Sequence, residues 1–123
     1  MSETATDEDG PSDGRPPVAC TLSDAEATAR LDRVEADLLP HVVAVRERGD
    51  GLTVVLERSE AAFDAVTDLA WLESQCCAWA RFSVELAPDR GPIRWHLRTD
   101  REAGVALFHD RLSALRSSLD LPG

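Results

Sequence analysis

Apolar and polar positions alternate along this chain with two different periods, and the switches between them lay out its elements. Val18, Cys20 and Leu22 alternate with Ala19 and Thr21, which predicts a short strand with those three side chains on one face. Ser23 then opens a helix, with Glu26 three residues on completing a capping box. Ala27, Leu31, Val34 and Leu38 form its apolar stripe, and Pro40 follows its end. Val42 to Arg48 and Leu52 to Glu57 read as a hairpin around Gly49-Asp50-Gly51. A second helix is expected from a cap at Ser59 to about Trp79. Phe82, Val84 and Leu86 alternate with Arg81, Ser83 and Glu85; after a turn at Asp89-Arg90-Gly91-Pro92, Ile93, Trp95 and Leu97 alternate with Arg94, His96 and Arg98. Thr99 and Glu102 suggest another capping box before a last helix striped by Val105, Phe108, Leu112, Leu115 and Leu119.

The resulting order is βαββαββα. Strands with one wet face and amphipathic helices between them predict a two-layer α+β fold, its mainly antiparallel sheet carrying the helices on one face. Residues 1–17 hold almost nothing apolar beyond Met1 and Ala5, so an acidic disordered tail is expected there and a single domain over 18–119.

The second helix breaks its own pattern. At about 100° per residue, Glu60, Asp64, Thr67, Asp68, Ser74 and Gln75 fall in one arc, while Ala62, Phe63, Ala65, Val66, Leu69, Ala70, Leu72, Cys76, Cys77 and Trp79 fall in the other. Glu73 lands near the centre of the apolar arc, with Cys76 and Cys77 one turn on at i+3 and i+4. A carboxylate among apolar neighbours takes up a proton or finds a positive partner. That partner is either a metal ion or an arginine such as Arg81. Adjacent cysteines point about 100° apart on a helix, so both can grip one ion only where the helix is ending.

Cys20 shares a strand face with Val18 and Leu22 and is expected to approach the same cluster. Three thiols and a carboxylate suit a soft metal or metalloid better than magnesium or calcium. Cys76, Cys77, Cys20 and Glu73 are therefore the candidate metal ligands. Two other readings stand beside this one. Buried cysteine often only fills space and a buried glutamate often only pairs with arginine, which would make this a structural or interaction domain. A thiol redox or nucleophilic enzyme is the third, opposed by the lack of a nearby histidine and of C-x-x-C spacing. Arg94, His96 and Arg98 line the polar face of their strand, where solvated surface is the ordinary reading and an anion site the sharper one. Trp71 falls on the polar side of its helix.

Charge narrows the partners. The chain carries 13 basic residues, all arginine, against 23 acidic ones, a formal net charge of −10. Nucleic-acid binding runs on phosphate neutralisation by Lys and Arg, so it is not expected of this chain by itself. An acidic, lysine-free surface suits a salt-rich, halophilic solvent, where screening removes self-repulsion. No apolar run approaches the roughly 18 residues of a membrane span, and Met1-Ser2-Glu3-Thr4 lacks the basic flank of a secretion signal. A cytoplasmic location with reduced thiols is expected.

Glu73-Ser74-Gln75-Cys76-Cys77, Phe82, and Gly91-Pro92-Ile93-Arg94-Trp95 together resemble a family of small uncharacterised prokaryotic proteins with an E-x-x-C-C-P-F segment and a following G-G-P turn. Cys20-Thr21-Leu22 is similar to the upstream C-x-L strand of that family. The resemblance covers about Val18 to Leu112 and implies that the double cysteine is a site. This chain departs from it at Ala78-Trp79, where the family has Pro-Phe, and at Arg90, where it has Gly.

Overall fold

The protein is described by a computed structural model over residues 23–119. The expected tail at 1–17, the strand at Val18–Leu22 and Cys20 lie outside the described residues. Within them the order is α1 (Asp24–Arg33), a π-turn (Val34–Leu38) and a short 3-10 turn (Leu39–His41), then β1 (Val42–Arg48), β2 (Gly51–Leu56), α2 (Glu60–Cys76), β3 (Arg81–Leu86), β4 (Ile93–Arg98) and α3 (Glu102–Leu119). The strands form one antiparallel sheet in the order β1-β2-β4-β3. An α+β fold with two helices packed on one sheet face is what the alternating strands predicted. No described helix is long and apolar enough to cross a membrane.

Period-two alternation decides what each strand gives to the core. Ile93, Trp95 and Leu97 of β4 are buried, and Leu52, Val54 and Leu56 of β2 lie on the same face. Against them pack Ala62, Val66 and Leu69 of α2 and Phe108 and Leu112 of α3. Phe108 has no exposed surface; its ring lies 5.0 Å from that of Trp79 and 6.5 Å from that of Phe82. Burying a side chain of that size contributes about 3 kcal/mol before packing is counted.

Two glycines permit close approaches. Gly51 closes the β1–β2 hairpin at a φ of 153°, where an added Cβ would overlap the Leu97 carbonyl. Gly104 lets Trp79 lie against α3, since a Cβ there would stand 2.8 Å from the indole ring.

Four expectations are corrected. Only the second half of the first helix's stripe faces the core: Val34 and Leu38, in the π-turn, pack into it, whereas Ala27 is exposed and Leu31 is 58% exposed, because α1 touches the body through its charged residues. Helix α2 stops at Cys76 rather than near Trp79. Thr99 does not cap α3, which opens at Glu102; its hydroxyl instead donates to the Trp79 carbonyl at 3.1 Å and accepts from the Arg101 amide. Leu86, on edge strand β3, is exposed rather than packed with Phe82 and Val84.

The β3–β4 turn explains itself. Asp89 and Arg90 have φ of 59° and 58°, and the Gly91 amide donates to the Pro88 carbonyl at 3.0 Å. Positive φ at both central positions is the mirror-image turn whose twist matches antiparallel strands. Arg90 thus takes a backbone conformation that glycine holds more easily.

Candidate functional site

Helix α2 starts because Ser59 accepts a hydrogen bond from the Ala62 amide at 3.1 Å. Its apolar stripe then carries Glu73 into the interior one turn before the helix ends. Glu73 is 9% exposed, Cys76 5% and Cys77 not at all. The ligand atoms of the three lie within 4.8 Å of one another, a grouping compatible with a metal ion. This is the cluster that the helical spacing predicted.

The helix end solves the geometric difficulty of adjacent cysteines. Cys76 is the last helical residue and Cys77 is its C-cap, with φ −117° and ψ 68°. The backbone turns between them and brings the two sulfurs to 3.6 Å. The Cys77 amide still donates to the Glu73 carbonyl at 2.8 Å, so the turn stays anchored to the helix. The Cys77 thiol donates to Glu73 Oε1 across 3.6 Å, a sulfur hydrogen bond that points the carboxylate at the pair.

The positive partner of Glu73 is not Arg81, which sits on the opposite face of the sheet. Two other arginines take the role. Arg30 of α1 donates from Nη1 to Glu73 Oε2 at 2.8 Å, and Arg111 of α3 donates from Nη1 to Glu73 Oε1 at 3.3 Å. The Arg30 pair is largely enclosed, whereas the Arg111 side chain is 37% exposed and that longer contact is partly wet. Charge-assisted hydrogen bonds of the first kind are about twice as strong as neutral ones. Arg30 Nη1 also lies 4.0 Å from Cys76 Sγ, which puts a guanidinium beside a thiol.

The sequence expectation named Arg81 and neither of these arginines. Arg30 is the one residue of α1 that is not exposed, and it adjoins the stripe residue Leu31. Arg111 adjoins Leu112 and lies one turn after Phe108. An arginine at the edge of an apolar stripe on each flanking helix is the signal that was there to be used. Cys20 is placed neither near nor far, because it lies outside the described residues.

Of the other polar groups, His41 Nδ1 lies 2.6 Å from Glu57 Oε2, and His109 Nε2 lies 2.9 Å from the Arg48 carbonyl. Both are exposed contacts between separate elements. Trp71 is exposed, as its place on α2 predicted. No family model, curated protein or solved structure matches this chain.

Proposed function

We propose that the protein binds a soft metal or metalloid ion through Cys76 and Cys77. The observation that supports this reading is the placement of two enclosed sulfurs 3.6 Å apart at a helix end. A tetrahedral ion with sulfur bonds of about 2.3 Å needs its sulfurs about 3.8 Å apart, so little movement separates this pair from a chelate. Arg30 beside Cys76 stabilises negative charge as the thiol ionises. The Cys77 proton has a receiver in Glu73 Oε1. Cys20 is the proposed third sulfur, and the resemblance of the E-x-x-C-C segment to the uncharacterised prokaryotic family is in keeping with a site here.

The two guanidiniums change the part given to Glu73. An ion has to compete with Arg30 and Arg111 for that carboxylate, so Glu73 serves as the proton acceptor and the support of Arg30, and becomes a ligand only if Arg111 lets go. The same observation favours a second reading, in which Glu73 is a structural ion pair tying α1 and α3 to α2 and the thiols only fill space. Its charge is already balanced there without an ion.

The experiment titrates the reduced chain anaerobically with Zn²⁺ and Hg²⁺, following sulfur-to-metal absorption and proton release. Binding of one ion through Cys76 and Cys77 should release the Cys76 proton directly and the Cys77 proton once Glu73 passes it on to solvent, and should tighten as pH rises. Ion at about 100 times its Kd should stabilise the fold by roughly 2.7 kcal/mol. Cys76→Ser and Cys77→Ser should abolish both signals, and Cys20→Ser should weaken them. Equal binding by the wild type and both serine variants would leave the structural reading in place.

A further inference from the structure

On the face of the sheet turned away from the helices, the register brings together Arg46 and Arg48 of β1, Arg94 and Arg98 of β4, and Arg81 of β3. Among the described strand residues Glu85 is the carboxylate set on that face, and Asp50 of the β1–β2 turn lies at its edge. Five of the 13 basic residues of a chain with net charge −10 therefore share one surface. A charge distribution so opposed to the whole is a field directed at something negative.

The field is sharpest at one end. Arg81 and Arg98 are directly opposed across β3 and β4, a like-charge pairing that weakens a sheet. Arg81 has no carboxylate partner among the described residues. Arg98 Nε is enclosed without a hydrogen bond, its nearest carboxylate being Asp50 Oδ2 at 3.8 Å. On its other side Arg98 is paired with Gly51, which has no side chain to fill the space or shield the guanidinium. Between the two arginines lies an open hollow of about 450 Å³, lined by Arg81, Phe82, Ser83 and Arg98. That size is at the small end of ligand sites.

We infer that Arg81 and Arg98, with the Ser83 hydroxyl, form a site for a small phosphate-type dianion on the open face of the sheet. Two guanidinium forks match a doubly charged oxyanion in both charge and planar hydrogen-bond geometry. The dianion would cancel the repulsion between the arginines and give Arg98 Nε its missing acceptor. A nucleic-acid strand fits this surface less well. It needs stacking side chains, and the outward positions of these strands carry no Phe, Tyr or Trp. The rest of the chain also repels a polyanion. This site lies across the sheet from the thiols and does not depend on them.

The test is a titration of the ¹⁵N-labelled full chain with inorganic phosphate at constant ionic strength in KCl, following the arginine Nε–H resonances. The expected result is a saturable shift of Arg98 and Arg81. Arg81→Gln and Arg98→Gln should each weaken binding by about tenfold or more, the loss of a charged hydrogen-bond partner. Arg46→Gln, on the same face but outside the hollow, should leave it unchanged. Ser83→Ala keeps both charges and should weaken binding less, which separates a built site from a general field. Unchanged amide spectra elsewhere certify that the variants fold. Malonate binding in place of phosphate would overturn the phosphate assignment. So would an Asp-rich peptide that binds where phosphate does not and shifts Arg46 and Arg94 as well. A non-saturating shift common to all variants would overturn the site altogether.

Discussion

On the helix side of the sheet Arg30 and Arg111 converge on the carboxylate of Glu73, whereas on the open side Arg81 and Arg98 oppose each other with no carboxylate among the described residues within hydrogen-bond reach. The difference follows from the surroundings. Two unit charges 4 Å apart interact by about 4 kcal/mol near a protein surface and about 1 kcal/mol in water. An enclosed carboxylate beside thiols therefore needs its counter-charges in place, while exposed guanidiniums tolerate one another at small cost. The inner cluster is closed chemistry and the outer face is unfinished chemistry.

The strongest way to break that contrast is Glu73→Gln. It leaves Arg30 enclosed with no negative partner and should destabilise the fold by about 3 kcal/mol, toward the low end for breaking a buried pair because Arg111 is partly wet. Urea unfolding measures this, and a change below half that figure would mean that water already balances the cluster. The next effect divides the two arginines. Arg30→Met should cost about 2 kcal/mol and Arg111→Met about 0.5 kcal/mol, since one hydrogen bond is short and enclosed and the other long and half-solvated. Equal losses would contradict this ranking.

Smaller and opposite in sign is Arg81→Gln. Removing one of two opposed like charges should stabilise the anion-free protein by roughly 0.5 kcal/mol, and the gain should fade in strong salt. A loss of stability at low salt would show that Arg81 already has a counter-charge. The least effect is a pH response on the same face. His96 Nε2 lies 2.9 Å from Glu85 Oε1, and that hydrogen bond, foremost among the causes, holds the Glu85 carboxyl below its ordinary value of 4.5. A carboxyl depressed in the folded state contributes stability above its unfolded value and loses it as pH falls through the folded one. Acid titration of unfolding should thus show a decline below about pH 4.5 that is shallower in Glu85→Gln. Superimposable acid limbs would remove Glu85 from the account.

What the sequence showed and what it hid divide along range. The β4 alternation of Ile93, Trp95 and Leu97 with Arg94, His96 and Arg98 is a local, period-two signal, and it placed the strand and both its faces. The burial of Glu73 followed from the phase of one helix. The stop after Cys76 had no glycine or proline to announce it; Trp79 is drawn off the helix into a space that Gly104, 25 positions away by its number, keeps open. Arg30 is 43 residues from Glu73. Periodicity reports which side of an element is wet, and α1 presents its most enclosed side chain from an edge that composition alone labels polar.

Helix α1 has no buried residue, and its ties to α2 are the Arg30–Glu73 pair and the Arg33–Asp68 pair. Its backbone amides should consequently exchange with solvent by local opening, at a free energy well below that of global unfolding. The latch is ionic, so dilution of salt strengthens the exposed Arg33 contact and concentrated salt loosens it. Each opening carries Arg30 away from Cys76, which makes the reaction rate of that thiol with an alkylating reagent a clock for the motion of a helix rather than a measure of the sulfur itself.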